Sequence, residues 1–425
     1  MELKTICMVG LGYIGLPTAA VIASRRVKVV GLDVSHSVVE TINQGKIHIV
    51  EPDLDMVVHA AVTQGYLRAT LIPEPADAFI IAVPTPFKTI EGVAHMPDLA
   101  YVESAARKIA PVLQRGNLVI LESTSPVGTT EKMAEWLAHA RPDLTFPQTH
   151  GEQSDIRVAH CPERVLPGHV IRELVSNDRV IGGMTPACSN AATSLYQIFV
   201  KGECVRTNAR TAEMAKLTEN SFRDVNIAFA NELSLICDKL GIDVWELVAL
   251  ANRHPRVNIL KPGPGVGGHC IAVDPWFIVS AAPEQARLIR TAREVNDGKP
   301  QWVIDKVKSA VGRYLVRNPE KRAKDVSVAV FGLAFKPDID DLRESPSLAI
   351  AEQLHEELTG PLLLVEPNIK VAPMTLTGCS LVGTEDAILA ADVCVVLVAH
   401  KQFRRMDLSS IPTEFIVDVV DSVRA

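Results

Sequence analysis

Several common features are missing from this chain of 425 residues. Its eight cysteines include no C-x-x-C pair and no Cys/His spacing of the zinc-finger kind, so neither a disulfide framework nor a metal site is indicated. No uninterrupted apolar run approaches the length of a membrane span, and the first residues enter a predicted strand instead of the apolar core of a signal peptide. We therefore expect a cytoplasmic protein with no membrane partner and no bound metal.

An excess of basic residues is missing as well. The formal net charge is -7, which provides no positive field for a polyphosphate backbone, so we expect no nucleic-acid partner. Hydrophobic residues make up 47% and charged residues 22%, a composition typical of a fully folded α/β protein. Because 425 residues exceed what one hydrophobic core usually holds, we expect two or three domains that act on small molecules.

Short apolar runs alternate with longer amphipathic stretches in the first half of the chain, which is typical of βα units around a parallel sheet. From about residue 211 to 251 the apolar spacing is continuously helical, and a second helical stretch covers roughly 284–314. A polar surface connection, 317–325, precedes a second set of strands. Two α/β domains on either side of a helical middle are therefore predicted. The predicted strands are Thr5–Val9, Val27–Leu32, Ala78–Val83, Leu118–Leu121 and Val158–Cys161, then Val326–Phe331, Leu362–Val365, Val393–Val398 and Phe415–Val419.

A glycine-rich turn follows the first predicted strand and opens an apolar helix, and the next strand ends at Asp33. Such a turn lets the backbone approach a pyrophosphate, which the helix N-terminus binds, while the acid accepts the ribose hydroxyls. We predict an NAD site, in which the acid favours NAD over NADP. A tight turn needed only for packing is the alternative, and it leaves Asp33 unexplained. The expected cofactor contacts here are Gly10, Gly12, Tyr13, Ile14, Gly15 and Asp33.

Hydroxyl side chains follow two further strands, in the segments VPTP and ESTSPVGTT. Ligands of open α/β sheets lie in the crevice beyond the carboxyl ends of such strands. Thr85, Ser123, Thr124 and Thr130 are therefore candidate contacts to cofactor or substrate. Each of them taken alone could equally form a turn or cap a helix.

A cysteine follows a second glycine-rich turn, in the segment GVGGHCIAVDP. If a helix begins there, its N-terminus would stabilise a Cys270 thiolate, and Asp274 would share one face with the cysteine. Lys216, Asn220 and Arg223 are spaced to lie on one face of the long predicted helix. A solvated helix face would show the same spacing, so the spacing alone leaves both interpretations open.

The ordered motifs of the chain resemble those of the UDP-glucose and GDP-mannose dehydrogenase family, over nearly its whole length. This resemblance implies an α/β fold with two Rossmann-like doubly wound domains joined by a central helical dimerisation region. The implied domains are an NAD-binding domain at 1–205, a helical dimerisation and catalytic domain at 206–315 and a UDP-sugar-binding domain at 316–425. A homodimer with a UDP-sugar substrate is therefore expected. The motifs are VGLGYIGLP, VPTP, ESTSPVGTT, CPERVLPG, AEMAKLTENSFR, GPGVGGHC and FGLAFKPDIDDLRESP.

The resemblance also implies an NAD-dependent, four-electron oxidation of an alcohol to a carboxylate. A cysteine suits this reaction because its thiolate holds the aldehyde as a thiohemiacetal, and loss of a second hydride leaves a thioester that water hydrolyses. A lysine and an amide would stabilise oxyanions or hold the water. A glutamate would serve in acid/base work or water activation. The implied catalytic residues are Cys270, Lys216, Asn220, Asp274, Glu163 and Thr124.

The sugar-binding residues implied by the family include one departure from its pattern. UDP-glucose dehydrogenases usually carry a second glutamate four positions after Glu163, where this chain has Pro167. This variant, together with His269, is similar to the branch of the family that acts on N-acetylhexosamines. Lysine and arginine would bind the diphosphate, and the resemblance implies that Arg256 reaches the partner subunit's site. The implied substrate contacts are Arg164, Val165, Leu166, Lys216, Asn220, Arg223, His254, Arg256, Gly267, Phe335, Lys336 and Arg343.

Two other functions share part of this pattern. A two-electron hydroxy-acid dehydrogenase would have the same NAD turn but no use for the Cys270 turn. A non-catalytic NAD-binding regulator would tolerate the loss of Lys216, Asn220 and Cys270, which are all present at the family's spacing. Within the family, the resemblance implies oxidation of UDP-N-acetyl-D-mannosamine at C6 to the uronate, and UDP-N-acetylglucosamine and UDP-glucose are the alternative substrates.

Overall fold

The computed structural model describes residues 3–90, 93–166, 168–268 and 270–422. Its internal contacts divide the chain into two compact units, the first ending at Glu219 and the second beginning at Asn220. The three-part division at 205/206 and 315/316 remains a prediction. Across the described ranges, no helix is long and apolar enough to cross a membrane.

The first unit contains the strands β1 to β10 and the helices α1 to α8. The strands are β1 Thr5–Val9, β2 Lys28–Leu32, β3 Leu67–Thr70, β4 Ala78–Ile81, β5 Phe87–Ile90, β6 Val93–Pro97, β7 Leu118–Leu121, β8 Arg157–His160, β9 Arg179–Gly183 and β10 Cys204–Asn208. The helices are α1 Gly15–Ser24, α2 His36–Asn43, α3 Leu54–Thr63, α4 Ala100–Ile109, α5 Thr129–Ala140, α6 Pro147–His150, α7 Val170–Ser176 and α8 Pro186–Tyr196.

Eight of these strands form one sheet in the order β10-β9-β8-β7-β4-β1-β2-β3, while β5 and β6 form a separate antiparallel hairpin. Every neighbouring pair in the large sheet is parallel except β8 and β9. The chain moves outward from β1 through β2 to β3 and then returns to the other side of β1 with β4. The carboxyl ends of β1 and β4 therefore meet at a topological switch point, where sheets of this kind bind ligands.

The first strand shows why this sheet is covered on both faces. After Thr5 its residues ICMV are apolar and buried without interruption, as expected for a strand in the middle of a parallel sheet. Ile6 and Met8 belong to one buried cluster, and Cys7 and Val9 belong to another. Because successive strand side chains point to opposite faces, the two clusters lie on the two sides of the sheet.

The second unit is built on a smaller parallel sheet, with strands in the order β13-β12-β11-β14-β15 and a single buried cluster. This order repeats the switch point, now between β11 and β14. The prediction of two doubly wound α/β parts is confirmed. The long helix α9 Ala209–Leu240 begins in the first unit and ends in the second. The other helices of the second unit are α10 Val244–Ala251, α11 Asp274–Ala281, α12 Arg287–Arg317, α13 Pro346–Glu357 and α14 Thr384–Ala390. Its strands are β11 Val328–Phe331, β12 Leu362–Val365, β13 Ser380–Leu381, β14 Val393–Val396 and β15 Ile416–Asp418.

The predicted continuous helix at 211–251 is wrong in one respect, because it is two helices. Gly241 adopts a left-handed φ of 68° just after α9 ends, which a glycine does without steric cost. Asp243 then caps α10, and its carboxylate accepts hydrogen bonds from the amides of Trp245 and Glu246. The helical spacing of the apolar residues continues across the break, which is why the pattern alone did not reveal it.

Candidate active site

The glycine turn after β1 has the geometry of a dinucleotide-binding turn. Gly10 has a φ of 90°, and a Cβ there would lie 2.5 Å from the Ala82 carbonyl oxygen beyond the neighbouring strand β4. A Cβ on Gly15 would lie 1.8 Å from the Gly10 oxygen, so only glycine allows the helix to begin this close to the strand. A Cβ on Gly12 would meet nothing within 4 Å, which leaves open space beside the backbone.

The residues around this open space fit NAD. Asp33 follows β2 and is half-buried, and its carboxylate accepts hydrogen bonds from the amides of Leu11 and Ser35, each at 2.9 Å. These bonds fix the acid next to the glycine turn, where a ribose would lie. Tyr13 is exposed, Ile14 is half-buried, and the Ile14 cap position makes no side-chain hydrogen bond to the first turn of α1. Amides at a helix N-terminus are the donors that bind a pyrophosphate in sites of this kind.

Two of the predicted hydroxyl contacts connect the ends of β4 and β7. Ser123 accepts a hydrogen bond from the Val83 amide at 2.9 Å and donates one to the Val83 carbonyl at 2.7 Å. Thr85 donates to the Thr124 carbonyl at 2.7 Å. Ser123 is buried, whereas Thr85 and Thr124 are half-buried. These bonds hold the crevice edge together, and direct contact with a ligand remains a prediction for all three.

Thr130 lies deeper than the sequence suggested. It is fully buried, and its hydroxyl and amide donate to one carboxylate oxygen of Glu213 at 2.6 and 2.8 Å. The second oxygen of Glu213 accepts from the Gly128 amide at 2.6 Å. Burial raises the pKa of Glu213, against the opposing effect of these hydrogen bonds. Glu213 therefore fixes the end of the ESTSPVGTT segment, and a cofactor contact of Thr130 remains a prediction.

Glu163 is part of a buried charged cluster. Its carboxylate pairs with the Arg179 guanidinium at 2.6 Å, and both side chains are almost fully buried. Tyr196 donates to the neighbouring acid Glu122 at 3.1 Å, and the Arg179 guanidinium lies 5.4 Å from the centre of the Tyr196 ring. Burial raises the pKa of Glu122 to about 8, and the negative charge of Glu163 acts in the same direction. The cluster therefore holds Glu122 protonated at neutral pH, beside the side chains of Glu163 and Arg179.

The three predicted sugar contacts after Glu163 form a partly exposed segment. The Arg164 guanidinium pairs with Glu219 at 2.6 Å, and the Leu166 amide donates to Glu173 at 2.7 Å. Arg164 and Val165 are half-buried and Leu166 is exposed. Pro167, which marks the departure from the family pattern, lies outside the described residues, as does His269.

Cys270 lies in the turn just before α11 and not in the helix itself. The helix begins at Asp274, four residues after the proposed start, although the Asp274 amide already donates to the Cys270 carbonyl at 2.9 Å. Cys270 is exposed and Asp274 is buried. Asn220 donates a short hydrogen bond to the Asp274 carboxylate. Within the second unit, the structure thus brings together Asn220, Asp274 and the turn that carries Cys270.

The glycines before Cys270 pack against the loop that follows β11. A Cβ on Gly267 would lie 2.4 Å from the Glu344 carbonyl oxygen and 2.9 Å from the Phe335 Cβ. Gly268 has a φ of 81°, and a Cβ there would lie 2.9 Å from the Phe335 ring. Glycine is therefore required at both positions for this approach. The contact places two sequence-distant candidates, the Cys270 turn and Phe335, side by side.

The remaining basic candidates are more exposed. The Lys336 Nζ lies 5.9 Å from the centre of the Phe335 ring, and the exposed Arg343 forms a bidentate ion pair with Asp341 at 2.6 and 2.9 Å. Lys216, half-buried, and Arg223, exposed, both lie in α9. His254 and Arg256 are exposed in the segment after α10, where the Arg256 amide donates to the His254 ring at 3.3 Å.

The sequence interpretation missed the charged residues that hold these segments in place. Arg179 lies at the start of β9, Glu122 lies directly after β7, and Glu213 lies in the first turns of α9. In a single sequence these side chains look like ordinary surface charges. The only available signal is position, because Glu122 follows a strand end beside Ser123.

Comparison with known proteins gives matches along nearly the whole chain. Profiles of the UDP-glucose/GDP-mannose dehydrogenase family match in three places: the NAD binding domain at residues 4–200, the central domain at 210–298 and the UDP binding domain at 329–424. A UDP-N-acetyl-D-mannosamine dehydrogenase of Yersinia pestis is 65% identical, over 98% of this chain and 99% of its own length.

Two further similarities bear on the substrate and on the fold. An NDP-N-acetyl-D-galactosaminuronic acid dehydrogenase of Ralstonia nicotianae is 63% identical, over 98% of this chain and 96% of its own length. Among solved structures, a UDP-D-ManNAc dehydrogenase from Pyrococcus horikoshii is similar with a TM-score of 0.85 and 39% identity, covering 99% of this chain and 96% of that one.

Proposed function

Because this chain belongs to the UDP-glucose/GDP-mannose dehydrogenase family, we propose that it oxidises C6 of UDP-N-acetyl-D-mannosamine from a primary alcohol to a carboxylate. The observation that carries the sugar assignment is the 65% identity to a UDP-N-acetyl-D-mannosamine dehydrogenase over 98% of the chain. The contact between the Cys270 turn and Phe335 supports the chemistry, since it joins a nucleophile to the family's UDP binding domain.

The reaction removes four electrons in two steps. When bound, NAD accepts one hydride in each step, so two NAD molecules are reduced per sugar. After the first oxidation, the Cys270 sulfur forms a bond to the aldehyde carbon, and the carbonyl oxygen takes up a proton, which gives a thiohemiacetal. Loss of that proton and of the second hydride leaves a thioester. Water then attacks the thioester and the C–S bond breaks: the sulfur takes one proton of the water, the other proton is released, and the carboxylate and the Cys270 thiol are left.

The roles of the other proposed catalytic residues follow from the chemistry of their side chains. Asn220 and Asp274 are hydrogen-bonded to each other, so the orientation of each depends on the other. In this mechanism Asn220 and Lys216 stabilise the oxyanions. Preorganised donors of this kind lower the activation free energy by about 3 kcal/mol each. Asp274 holds or moves the proton near Cys270. Glu163 takes part in thioester hydrolysis, in which its side chain, held in place by Arg179, orients water. Thr124 lies at the crevice edge after β7 and completes the set.

Binding of the two nucleotides would use different parts of the chain. The open space beside Gly12 and the amides of the α1 turn would hold the NAD pyrophosphate, and Asp33 would hold its ribose hydroxyls. Phe335, Lys336 and Arg343 would contact the UDP-sugar. Arg343 already binds a carboxylate side chain in bidentate fashion, the geometry that also suits a phosphate. His254 and Arg256 would add positive charge.

A homodimer in the cytoplasm is part of the proposal. The helix α9 carries apolar side chains that are exposed along its length: Phe222 at 71%, Phe229 at 53%, Ile236 at 44% and Leu240 at 64%. Their spacing of seven, seven and four residues keeps them on one side of the helix, and covering such a stripe is what a second copy would achieve. The buried thiols of Cys7, Cys161 and Cys394 are compatible with a reducing compartment.

The relative from Ralstonia nicotianae favours a second candidate, since its name specifies a galactosaminuronic acid at nearly the same identity of 63%. The test is competition among UDP-N-acetyl-D-mannosamine, UDP-N-acetyl-D-galactosamine, UDP-N-acetyl-D-glucosamine and UDP-glucose at equal, sub-saturating concentrations, with the uronate products separated chromatographically. A wrong epimer leaves buried polar groups unpaired, so kcat/KM for the mannosamine sugar should exceed the others by about a hundredfold. A preference for any other sugar would overturn the sugar assignment and leave the four-electron chemistry standing.

A further inference from the structure

We propose that Glu51 is a positioning residue for the sugar-binding segment, which we define as residues 163–166 and 168–170, and this inference rests on the proposed function. Glu51 lies between α2 and α3, far in sequence from the segment and outside the motifs discussed above. It does not touch the reacting atoms in this proposal. It acts by fixing the backbone that carries Arg164, Val165 and Leu166.

Both carboxylate oxygens of Glu51 are used to hold this backbone. One oxygen accepts a hydrogen bond from the Gly168 amide at 2.9 Å, and the other accepts from the Val170 amide at 2.8 Å. The Glu51 side chain is 7% exposed, so these bonds lie in a largely water-excluded environment. Because each oxygen has its own donor, rotation of the carboxylate would lose both bonds. Bonds from backbone amides to a buried carboxylate are also stronger than neutral ones.

Charged or amide side chains hold the rest of the segment. Arg179 pairs with Glu163 at the beginning of the segment, and Asn177 donates to the Arg164 carbonyl at 3.2 Å. Glu173 accepts from the Leu166 amide. Glu51 is the residue that holds the far end of the segment. The sugar contacts thus lie between two anchored ends, which is how a binding surface is kept in one conformation before the ligand arrives.

The backbone close to Glu51 includes an energetically unfavourable conformation. Asp53 has a left-handed φ of 64°, which non-glycine residues adopt at an energetic cost. Val50 is 76% exposed while the neighbouring Glu51 is buried, the reverse of what their side chains favour in water. The bonds to Gly168 and Val170 account for this arrangement, because they are the contacts that a buried carboxylate needs.

The test compares Glu51→Gln with Glu51→Asp and with a matched control, Asp77→Asn. Asp77 also accepts hydrogen bonds from two backbone amides, those of Lys4 and Thr5, both at 2.8 Å. These residues lie at the amino ends of β1 and β4, the edge of the sheet opposite the crevice. Asp77→Asn therefore removes the same kind of hydrogen bonds as Glu51→Gln, those from two backbone amides to a carboxylate, and leaves the contacts of the sugar-binding segment unchanged.

In steady-state assays, Glu51→Gln should raise KM for UDP-N-acetyl-D-mannosamine at least tenfold and leave KM for NAD within twofold, while Glu51→Asp should restore part of the loss. Asp77→Asn should lower the melting temperature and leave both KM values unchanged. Wild-type KM values in Glu51→Gln, or an equal rise of KM in Asp77→Asn, would overturn the inference.

Hydrogen exchange separates this inference from the proposed function. In Glu51→Gln, the amides of 164–166 and 168–170 should exchange at least tenfold faster than in the wild type, while those of β1 stay protected. If the wild type oxidises none of the four sugars, the proposed function fails, and the exchange result then decides the positioning role alone. Unchanged protection of these amides would contradict the positioning role, and faster exchange would support it.

Discussion

Replacing Gly267 with alanine should separate the Cys270 turn from the loop that carries Phe335. The added Cβ would lie 2.4 Å from the Glu344 carbonyl oxygen, 2.6 Å from the Pro346 Cδ and 2.9 Å from the Phe335 Cβ. Two of the three neighbours are a backbone atom and a proline ring, neither of which can rotate away. The turn must therefore move, and Cys270 lies only three residues further on.

The size of the effect follows from the overlap. Ordinary van der Waals separation requires the turn to shift by roughly 1 Å. Overpacking of this kind typically costs about 1–3 kcal/mol of stability. A displacement of about 1 Å at a catalytic group typically costs about a hundredfold in rate. We therefore expect Gly267→Ala to fold with a lower unfolding free energy and to lose about a hundredfold in kcat/KM.

Gly263 in the same turn provides the matched control. A Cβ there would meet nothing within 4 Å, and its φ lies outside the left-handed region. Gly263→Ala should therefore keep wild-type kcat/KM and gain up to about 1 kcal/mol of stability, because alanine restricts the unfolded chain. NADH absorbance gives the kinetics, and urea unfolding gives the stability. Wild-type kcat/KM in Gly267→Ala, or an equal loss in Gly263→Ala, would refute the claim that this contact positions Cys270.

Two further predictions concern the thiol and the buried acid. Cys270→Ser should block turnover or accumulate a slowly hydrolysed ester. The dissociation constants for NAD and for the UDP-sugar, measured by calorimetry, should stay within a few fold of the wild-type values. Wild-type turnover to the acid would show that the thiol is structural. Burial raises the pKa of Glu122 from 4.5 to about 8, so the folded state keeps a proton that the unfolded state releases, and stability falls as pH rises. Burial lowers the pKa of His160 from 6.5 to about 3, which adds an opposite slope only below pH 6.5. Burial also lowers the pKa of Lys299 from 10.5 to about 7, which adds an opposite slope above about pH 7. The Glu122 contribution is therefore measured as a difference: between pH 6.5 and 8, the slope of the unfolding free energy against pH should be more negative in the wild type than in Glu122→Gln by up to about 1.4 kcal/mol per pH unit. The same slope in both proteins would contradict the assignment of the proton.

The fold could be predicted from the sequence wherever a local residue pattern is compatible with only one kind of local structure. The apolar run Thr5–Val9 and the glycine turn after it were found at the predicted place, because a buried parallel strand and a close helix approach each leave a direct mark on the sequence. The strand β10 Cys204–Asn208 was missed, because it is a partly exposed edge strand with alternating polar residues and no continuous apolar run.

The candidate site was predictable only as a set of separate motifs. The Cys270 turn and Phe335 are 65 residues apart in the numbering, and only the fold brings the glycines beside the Phe335 ring. The supporting charges could not be found for the same reason. Arg179 and Glu51 make their contacts across 16 and more than 100 residues, and each contact depends on burial, which one sequence does not reveal.

The central claim, a four-electron oxidation through Cys270, is tested most directly by product stoichiometry. A limiting amount of UDP-N-acetyl-D-mannosamine is converted to completion with excess NAD, and the NADH formed is measured against the uronate identified by mass spectrometry. The proposed mechanism predicts two NADH per sugar, with a carboxylate as the only product. One NADH per sugar, with a free aldehyde or ketone as product, would contradict it.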